Sequence, residues 1–276
     1  MRIRNLLLSA LAFLTAMASC SKQPVMDEPT QTVRFTVSLE PGTKAIADGS
    51  QANQLIVGVL DAEGAPLDGY RKVVTRTPGQ AFSFELPLVK QMQYTVLLFA
   101  QSTDRFLSSS AYAGASGTAA QLFSIPLPTS MALNDELDDA FTGVSTFTTS
   151  SSAICIVLSH AWGQVNIASA RDITDITAVS LSIPGLPSHY DVRTSEAAAG
   201  AVTQTLTITG EALAGQSFSN GSSDYYYIGN AYVPVGKTVL HTSPTLTLTR
   251  SGVPAETIVG DLPLCANYRT NLLGEL

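Results

Sequence analysis

Residues 31–39 read Gln-Thr-Val-Arg-Phe-Thr-Val-Ser-Leu, and this stretch sets the pattern for the rest of the chain. Apolar and polar residues alternate along it, which is the period of a β-strand with one buried face. The turn-forming sequence Glu40-Pro41-Gly42 follows directly and would end such a strand. We therefore predict an N-terminal strand with one side toward a core, and its core-facing residues are Val33, Phe35, Val37 and Leu39.

Similar strand signals recur along the whole chain. Residues 55–60, Leu-Ile-Val-Gly-Val-Leu, form a continuous apolar run, which is typical of a strand covered on both faces. Alternating segments rich in Thr and Ser appear in the second half, at residues 179–183, 202–209 and 245–249. Many short strands separated by turn signals predict an all-β fold of the sandwich type.

The polar and acidic segment at residues 134–139 divides these strands into two sets, and we expect a short helix or a linker there. The length of 276 residues allows one large β domain or two of ordinary size. We place the boundary near residue 142. This gives an N-terminal β-sandwich at residues 31–142 and a C-terminal β-sandwich at residues 143–276.

The N-terminus has the order of a secretory signal peptide. Arg2 and Arg4 precede an apolar stretch at residues 6–14 that is too short for a comfortable transmembrane helix. Met17-Ala18-Ser19-Cys20 then resembles a bacterial lipobox, which implies that residues 1–19 are removed and that Cys20 is acylated, for example with palmitate. Residues 20–30 would form a flexible tether. The alternative is an ordinary cleaved signal peptide in which Cys20 has no special role.

Composition limits the possible partners. Hydrophobic residues make up 45% of the chain and charged residues 13%, so there is ample material for a core. The net charge is −7, and no cluster of basic residues is present. Binding of nucleic acid calls for a basic patch, so we expect no nucleic-acid partner.

Two cysteines follow Cys20, namely Cys155 and Cys265. They are able to pair in an oxidising envelope or to remain buried free thiols that pack as small hydrophobic side chains. The sequence leaves both alternatives open, since it does not show whether the two lie within bridging distance. No Cys-x-x-Cys motif is present, so neither a zinc site nor a redox pair is indicated.

Residues suited to catalysis are few. The three histidines, His160, His189 and His241, are scattered, and the sequence contains no Gly-x-Ser-x-Gly, His-Glu-x-x-His or P-loop motif. We expect a protein without enzymatic activity, metal or cofactor. The acidic residues Asp135, Glu136, Asp138 and Asp139 lack the calcium-binding pattern of an EF-hand, and we interpret them as a solvated linker.

Aromatic residues supply the only candidate ligand contacts. The lone Trp162 and the run Tyr225-Tyr226-Tyr227 are candidates for a platform on which a glycan stacks. Strand alternation would place Tyr225 and Tyr227 on one face and Tyr226 on the other. Because one of those faces is expected to be core, the alternative is that these rings only pack inside the protein.

Three stretches resemble the fimbrillin-like lipoproteins of Bacteroides-type bacteria. The first is Thr43-Lys44-Ala45 with the strand-like sequence at residues 54–61. The second is Asp139-Ala140-Phe141-Thr142-Gly143 with residues 158–167, although Ser159-His160 stand where that family usually has Arg. The third and most specific is Asn267-Tyr268-Arg269-Thr270-Asn271 near the C-terminus.

The resemblance implies two transthyretin-like β-sandwich domains on an outer-membrane lipoprotein that faces the cell surface. It also implies a role in fimbriae or adhesion, with host or bacterial surface glycans or proteins as partners. In that family, subunits join by strand exchange after a protease removes the first strand. Arg34 is then the candidate processing site, and the alternative is an ordinary outward-facing arginine.

The chain stops at Leu276, a few residues after the third stretch, without a spare strand to donate. We therefore expect a tip, an anchor or a stand-alone lipoprotein rather than a polymerising stalk subunit. The second functional hypothesis is a surface glycan-binding lipoprotein of a polysaccharide uptake system.

Overall fold

The structure is a computed structural model, and it describes residues 29–40, 49–197, 203–213, 215–220 and 223–276. No helix within these ranges is long and apolar enough to span a membrane. Helices are short here: α1 is Ser109–Ala113, and 3-10 helices occupy Asp68–Tyr70, Ala119–Phe123 and Glu136–Asp138. The expected all-β architecture is confirmed, since most of the described residues lie in strands.

The strands of the first half are β1 Thr30–Leu39, β2 Gln54–Leu60, β3 Lys72–Thr75, β4 Phe82–Val89, β5 Gln93–Gln101, β6 Ile125–Pro126, β7 Ser130–Ala132 and β8 Phe141–Thr148. Those of the second half are β9 Ala153–His160, β10 Gly163–Ser169, β11 Ile176–Pro187, β12 His189–Asp191, β13 Glu196–Ala197, β14 Thr203–Gly210, β15 Ser217–Asn220, β16 Ser223–Val233, β17 Leu240–Thr242, β18 Thr245–Arg250, β19 Val253–Ile258, β20 Leu262–Leu264 and β21 Arg269–Gly274.

A seven-stranded sheet with the order β3-β2-β5-β8-β9-β1-β4 encloses the first core. Strand β1 lies inside this sheet, antiparallel to β4 and parallel to β9. Val33, Phe35 and Val37 are fully buried, as their alternation predicts. The Phe35 ring stacks on Phe84 of β4 with ring centroids 4.8 Å apart, so β1 contributes both backbone pairing and aromatic packing to the core.

The apolar run at residues 55–60 is buried on both faces, as expected. Leu55, Val57 and Val59 point into the first core, whereas Ile56 points into a second, larger core. The neighbouring strand β5 divides its side chains in the same way, with Phe99 in the second core. Strands β2 and β5 therefore form the wall that both cores share, which explains why their sequences are apolar without alternation.

The second core is enclosed by the remaining sheets. A four-stranded sheet has the order β15-β16-β10-β21, and a five-stranded sheet has the order β19-β18-β11-β14-β7. Smaller pairings join β13-β12-β6 and β17-β20. Two strands of the first half belong to these sheets. β6 pairs with β12 in the three-stranded sheet, and β7 pairs with β14 in the five-stranded sheet.

Strands β8 and β9 belong to the sheet of the first core, although most of their residues follow position 142. Phe141, Ile156 and Leu158 from these strands lie within that core. A boundary drawn by sheet membership would therefore follow His160. The division into domains at residues 31–142 and 143–276 stays a prediction.

Both cysteines in the described ranges are free thiols. Cys155 is exposed, so the buried-thiol alternative is wrong for this residue, which lies on the outward face of β9 between inward-facing neighbours. Cys265 is partly buried, and its thiol donates to the Lys237 carbonyl oxygen at 3.0 Å. Residues 1–19, Cys20, most of the tether and Thr43-Lys44-Ala45 lie outside the described residues.

Candidate functional site

The aromatic platform expected from the sequence is not formed. Trp162 is only 2% exposed, and its ring makes edge contacts with Phe106 and Tyr190 at centroid distances of 5.4 and 5.0 Å. Tyr227 is also buried, whereas Tyr225 is half-buried and Tyr226 is exposed. The glycan prediction is therefore wrong for Trp162 and Tyr227, since Trp162 packs in the second core and Tyr227 is only 4% exposed.

The acidic segment is not a solvated linker either. The side chains of Asp138 and Asp139 are each 1% exposed. Asp138 accepts hydrogen bonds from the Arg105 guanidinium, and Asp139 Oδ1 lies 2.9 Å from Nδ1 of His160. Burial raises the pKa of the Asp138 carboxyl to about 6, a rise that the neighbouring Arg105 opposes. Arg105 and His160 therefore hold the two aspartates of this acidic segment inside the protein.

A cleft of about 450 Å³ opens beside this acidic segment, where β8 and β9 diverge from one another. We call it the β8–β9 cleft. Its walls come from β8, from β9 and from three loops of the second half, which the sequence separates by up to about 130 positions. The residues used below are Thr142, Val144, Val157, His160, Tyr190, Arg193, Ser195, Lys237, Asn267 and Tyr268.

The two strands diverge because β8 and β9 have different pairing partners beyond their last common pair. Within the described residues, β8 pairs with β9 only at Phe141↔His160 and Thr142↔Ser159. Beyond these pairs β8 continues along β5, whereas β9 turns to run parallel to β1. Gly143 stands at the fork, where a Cβ atom would lie 2.5 Å from Leu158 Cδ2, so glycine permits the close approach.

The floor of the cleft carries three polar atoms that have no hydrogen-bond partner among the described residues. They are Thr142 Oγ1, His160 Nε2 and the Tyr190 hydroxyl. Burial raises the pKa of Tyr190 above its usual value, so this hydroxyl stays protonated. The Thr142 and Ser195 side chains are its polar neighbours and oppose this rise. The three atoms are buried, so they lie beneath the cleft and do not face its opening.

The rim of the cleft is basic and aromatic. Arg193 is held by Asp191, with Nη2 2.6 Å from Oδ2, and its guanidinium lies 3.8 Å from the centroid of the Phe123 ring. Lys237 is exposed beside it. The Tyr268 side chain is 66% exposed, which is unusual for a tyrosine in this otherwise well-packed region.

The C-terminal Asn-Tyr-Arg-Thr-Asn motif builds one wall of the cleft. Asn267 has a φ of 61°, a left-handed conformation that Asn tolerates, and its amide donates to the Trp162 carbonyl at 2.9 Å. The Tyr268 amide donates to the Cys265 carbonyl at 3.2 Å, which closes a turn and directs the ring outward. The motif therefore brings Tyr268 to the corner after His160.

Sequence patterns identified part of this site. The second and third resemblance stretches meet here, through Asn267 and Trp162. Tyr190, Arg193 and Lys237 were missed, because no motif or spacing connects them before the chain folds. The structure places Arg34 elsewhere, on the outer face of β1, where its guanidinium pairs with Glu85 at 2.8 Å. Among the residues that the structure describes, no cluster of three or more His, Cys, Asp or Glu is able to hold a metal ion.

A family model described as a family of unknown function (DUF6562) matches residues 24–276. The chain belongs to this family. No curated protein matches the sequence of this DUF6562 member.

Solved structures share the fold of the DUF6562 chain. A candidate cell adhesion protein from Bacteroides ovatus has a TM-score of 0.52 at 11% identity, with 89% of this chain and 93% of that chain covered. A candidate adhesin from Bacteroides thetaiotaomicron has a TM-score of 0.52 at 16% identity, with 85% and 81% covered. A candidate adhesin from Bacteroides ovatus has a TM-score of 0.50 at 16% identity, with 84% and 77% covered. At the level of fold, these similarities confirm what the fimbrillin-like resemblance implies.

Proposed function

We propose that this DUF6562 protein acts in adhesion or fimbrial assembly at the cell surface. The observation that carries the proposal is the fold, which is shared over 89% and 85% of the chain with solved proteins named as candidates for cell adhesion. The fimbrillin-like stretches of the sequence point to the same role, and Asn267 and Tyr268 of the third stretch form a surface wall of the β8–β9 cleft.

Attachment to the outer membrane is the second part of the proposal. Acyl chains on Cys20, palmitate among them, would contribute about 0.8 kcal/mol for each buried methylene group. Residues 20–30 then serve as a spacer between the bilayer and the folded part. The surface of the outer membrane is the location where a protein of this kind meets other cells.

Strand exchange with other fimbrillin-like subunits is the third part. Strand β1 lies between β4 and β9, so its loss would leave two strand edges and a groove for Val33, Phe35 and Val37. Unpaired strand edges are templates for the strand of another chain. Cleavage after Arg34 would start that process, and Arg34 is therefore our candidate processing site. The same cut would separate the folded chain from the lipid on Cys20, so the cleaved chain would be held by its partner subunit and the uncleaved chain by the membrane.

We propose that the protein works by binding and not by catalysis. The second candidate function is that of a surface glycan-binding lipoprotein in polysaccharide uptake. The observation that favours it is the β8–β9 cleft, whose exposed Tyr268 ring offers a stacking surface for a sugar.

The experiment is a deletion of the gene followed by complementation with the wild-type chain. We expect the deletion to lower attachment of the bacteria to host cells or to partner bacteria, and the wild-type chain to restore it. Complementation with the Cys20→Ala variant should fail to restore attachment, because that chain leaves the surface. Equal attachment by the deletion and wild-type strains would contradict adhesion, and slower growth on a polysaccharide would favour the second function.

A further inference from the structure

The geometry points to the β8–β9 cleft as a binding site for a saccharide that carries a carboxylate group, and we propose this ligand class for the protein. The inference deepens the proposed function and rests on it for its biological role, since an adhesion protein needs a ligand on the opposing surface. The binding itself depends only on the cleft.

The first step is the shape of the cleft. Its volume of about 450 Å³ lies within the range of about 300–1,000 Å³ that is usual for small-molecule sites. It forms where β8 and β9 separate after the pairs at His160 and Ser159, so strands on both sides hold it open. A cleft framed by paired strands is present before a ligand arrives, which lowers the cost of binding.

The second step is the polar floor. Asp139 Oδ1 lies 2.9 Å from His160 Nδ1, and this contact holds the His160 ring in the lining of the cleft. The Tyr190 hydroxyl is a donor, and Thr142 Oγ1 is able to donate or accept. All three atoms are buried, and Thr142 and Ser195 are polar neighbours of Tyr190. They give the cleft a polar base, and a bound sugar makes its direct contacts with the rim.

The third step is the aromatic rim. The Tyr268 ring is 66% exposed at the mouth of the cleft, and the backbone turn at Asn267 holds it there. Val144 and Val157 are also exposed, at 40% and 61%, and they line the same cleft. A ring next to apolar side chains offers a surface for the apolar C–H face of a sugar ring. A simple inorganic anion would make no use of it.

The fourth step is the charge. The ionisable residues of the lining include His160, Arg193 and Lys237, and no aspartate or glutamate lines the cleft, although the whole chain has a net charge of −7. The acidic groups around the cleft are Asp139 behind His160, Asp191 behind Arg193, and Glu40, whose Oε2 accepts a hydrogen bond from Asn267 Nδ2 at 3.4 Å. Glu196 of β13 accepts hydrogen bonds from Thr238, the residue after Lys237. A ligand carboxylate would therefore meet Lys237 and the free edge of Arg193.

The test is calorimetric titration of the purified full chain in mild detergent. The probes are D-glucuronate, D-galacturonate, N-acetylneuraminate, D-glucose and acetate. We expect at least one of the acidic sugars to bind about tenfold more tightly than D-glucose and acetate at low salt, because the carboxylate gains a charge-assisted contact. That preference should shrink as salt is raised.

Variants locate the site. Tyr268→Ala and Lys237→Gln should each weaken binding of the preferred acidic sugar by about fivefold or more. The matched controls are Tyr226→Ala and Lys90→Gln, which change an exposed tyrosine and an exposed lysine outside the cleft and should leave the affinity unchanged.

Several results would overturn the inference. They are an absence of binding by all three acidic sugars at tens of millimolar (about the weakest affinity relevant to avid surface binding), equal binding of D-glucose or of acetate, and unchanged affinity in Tyr268→Ala and Lys237→Gln alike. Failure of the sugar titrations with normal bacterial attachment would remove this ligand and leave the proposed function in place. Sugar binding by the purified chain, without any effect of gene deletion on attachment, would support this ligand and contradict the proposed role in adhesion.

Discussion

His160 Nδ1 lies 2.9 Å from Asp139 Oδ1, and the two side chains are only 10% and 1% exposed. This pair joins the acidic segment to the end of β9 and supports the floor of the β8–β9 cleft. A second His–Asp pair, His241 with Asp261 at 2.7 Å, has exposures of 62% and 64%. The chain therefore contains the same interaction once in the interior and once on the surface.

Removal of the two aspartates should have unequal effects on stability. Asp139→Ala leaves the buried His160 ring without its acceptor, and we expect a loss of about 2 kcal/mol or more in the free energy of unfolding. Asp261→Ala breaks an exposed pair and should cost about 0–1 kcal/mol. Urea denaturation followed by tryptophan fluorescence measures both values. Equal losses would show that Asp139 is not a structural partner of His160.

Lowering the pH should stabilise the folded state through protonation of Asp138. Its carboxyl pKa is about 6 in the folded chain, with burial as the main cause, against 3.8 when it is unperturbed. The folded state therefore holds a proton between these values that the unfolded state has released, so this contribution to stability is complete below about pH 4 and is lost as pH rises through 6.

Comparison with Asp138→Asn isolates that contribution. Between pH 7 and pH 4.5 the wild type should gain about 2 kcal/mol relative to the variant, as measured by urea denaturation at each pH. Asp172→Asn is the control, because Asp172 is exposed and its pKa is lowered by hydrogen bonds from Thr174. Parallel stability profiles for the wild type and Asp138→Asn would contradict the raised pKa of Asp138.

Arg34 should be protected from proteases while β1 is in place. The strand is hydrogen-bonded to β4 and to β9, and a protease needs an extended segment with free backbone groups. We expect slow cleavage after Arg34 by a trypsin-like protease in buffer and faster cleavage in mild urea, as followed by mass spectrometry. Arg34→Gln should abolish this one cut and leave the others.

The cleaved chain should then accept a strand. Once the released fragment has been removed, a labelled peptide with the sequence of residues 29–34 should bind the cleaved chain, and a peptide with Ser in place of Val33 should not, because Val33 fills the vacated part of the groove and Phe35 and Val37 stay attached. Fluorescence anisotropy measures both. Cleaved chain that binds neither peptide, or binds both equally, would argue against strand exchange at this groove.

The strand pattern was predictable because it depends on local sequence. Val33, Phe35 and Val37 alternate with polar residues, and their strand has one buried face. The run at residues 55–60 is apolar throughout, and its strand is buried on both faces. Sequence alone did not show that β8 and β9 complete the first sheet, because β9 pairs with β1 across more than a hundred residues.

The site was less predictable, because burial of single polar or aromatic residues depends on distant contacts. Asp138 and Asp139 have the composition of a linker, yet Arg105 and His160 hold them inside the protein. Trp162 is of a residue type that stacks on sugars, but Phe106 and Tyr190 enclose it. Tyr268 is the exposed ring instead, and only the fold brings Arg193 and Lys237 next to it.

The anchoring of the chain through Cys20 is the claim on which its surface role depends. Intact cells that produce the wild type, Cys20→Ala or Cys155→Ala should be treated with a membrane-impermeant label, fractionated and probed for the chain. We expect the wild type and the Cys155→Ala control to be labelled and membrane-bound, and Cys20→Ala to be recovered in the soluble fraction. Membrane association that is unchanged in Cys20→Ala would contradict the account of a lipid-anchored surface protein.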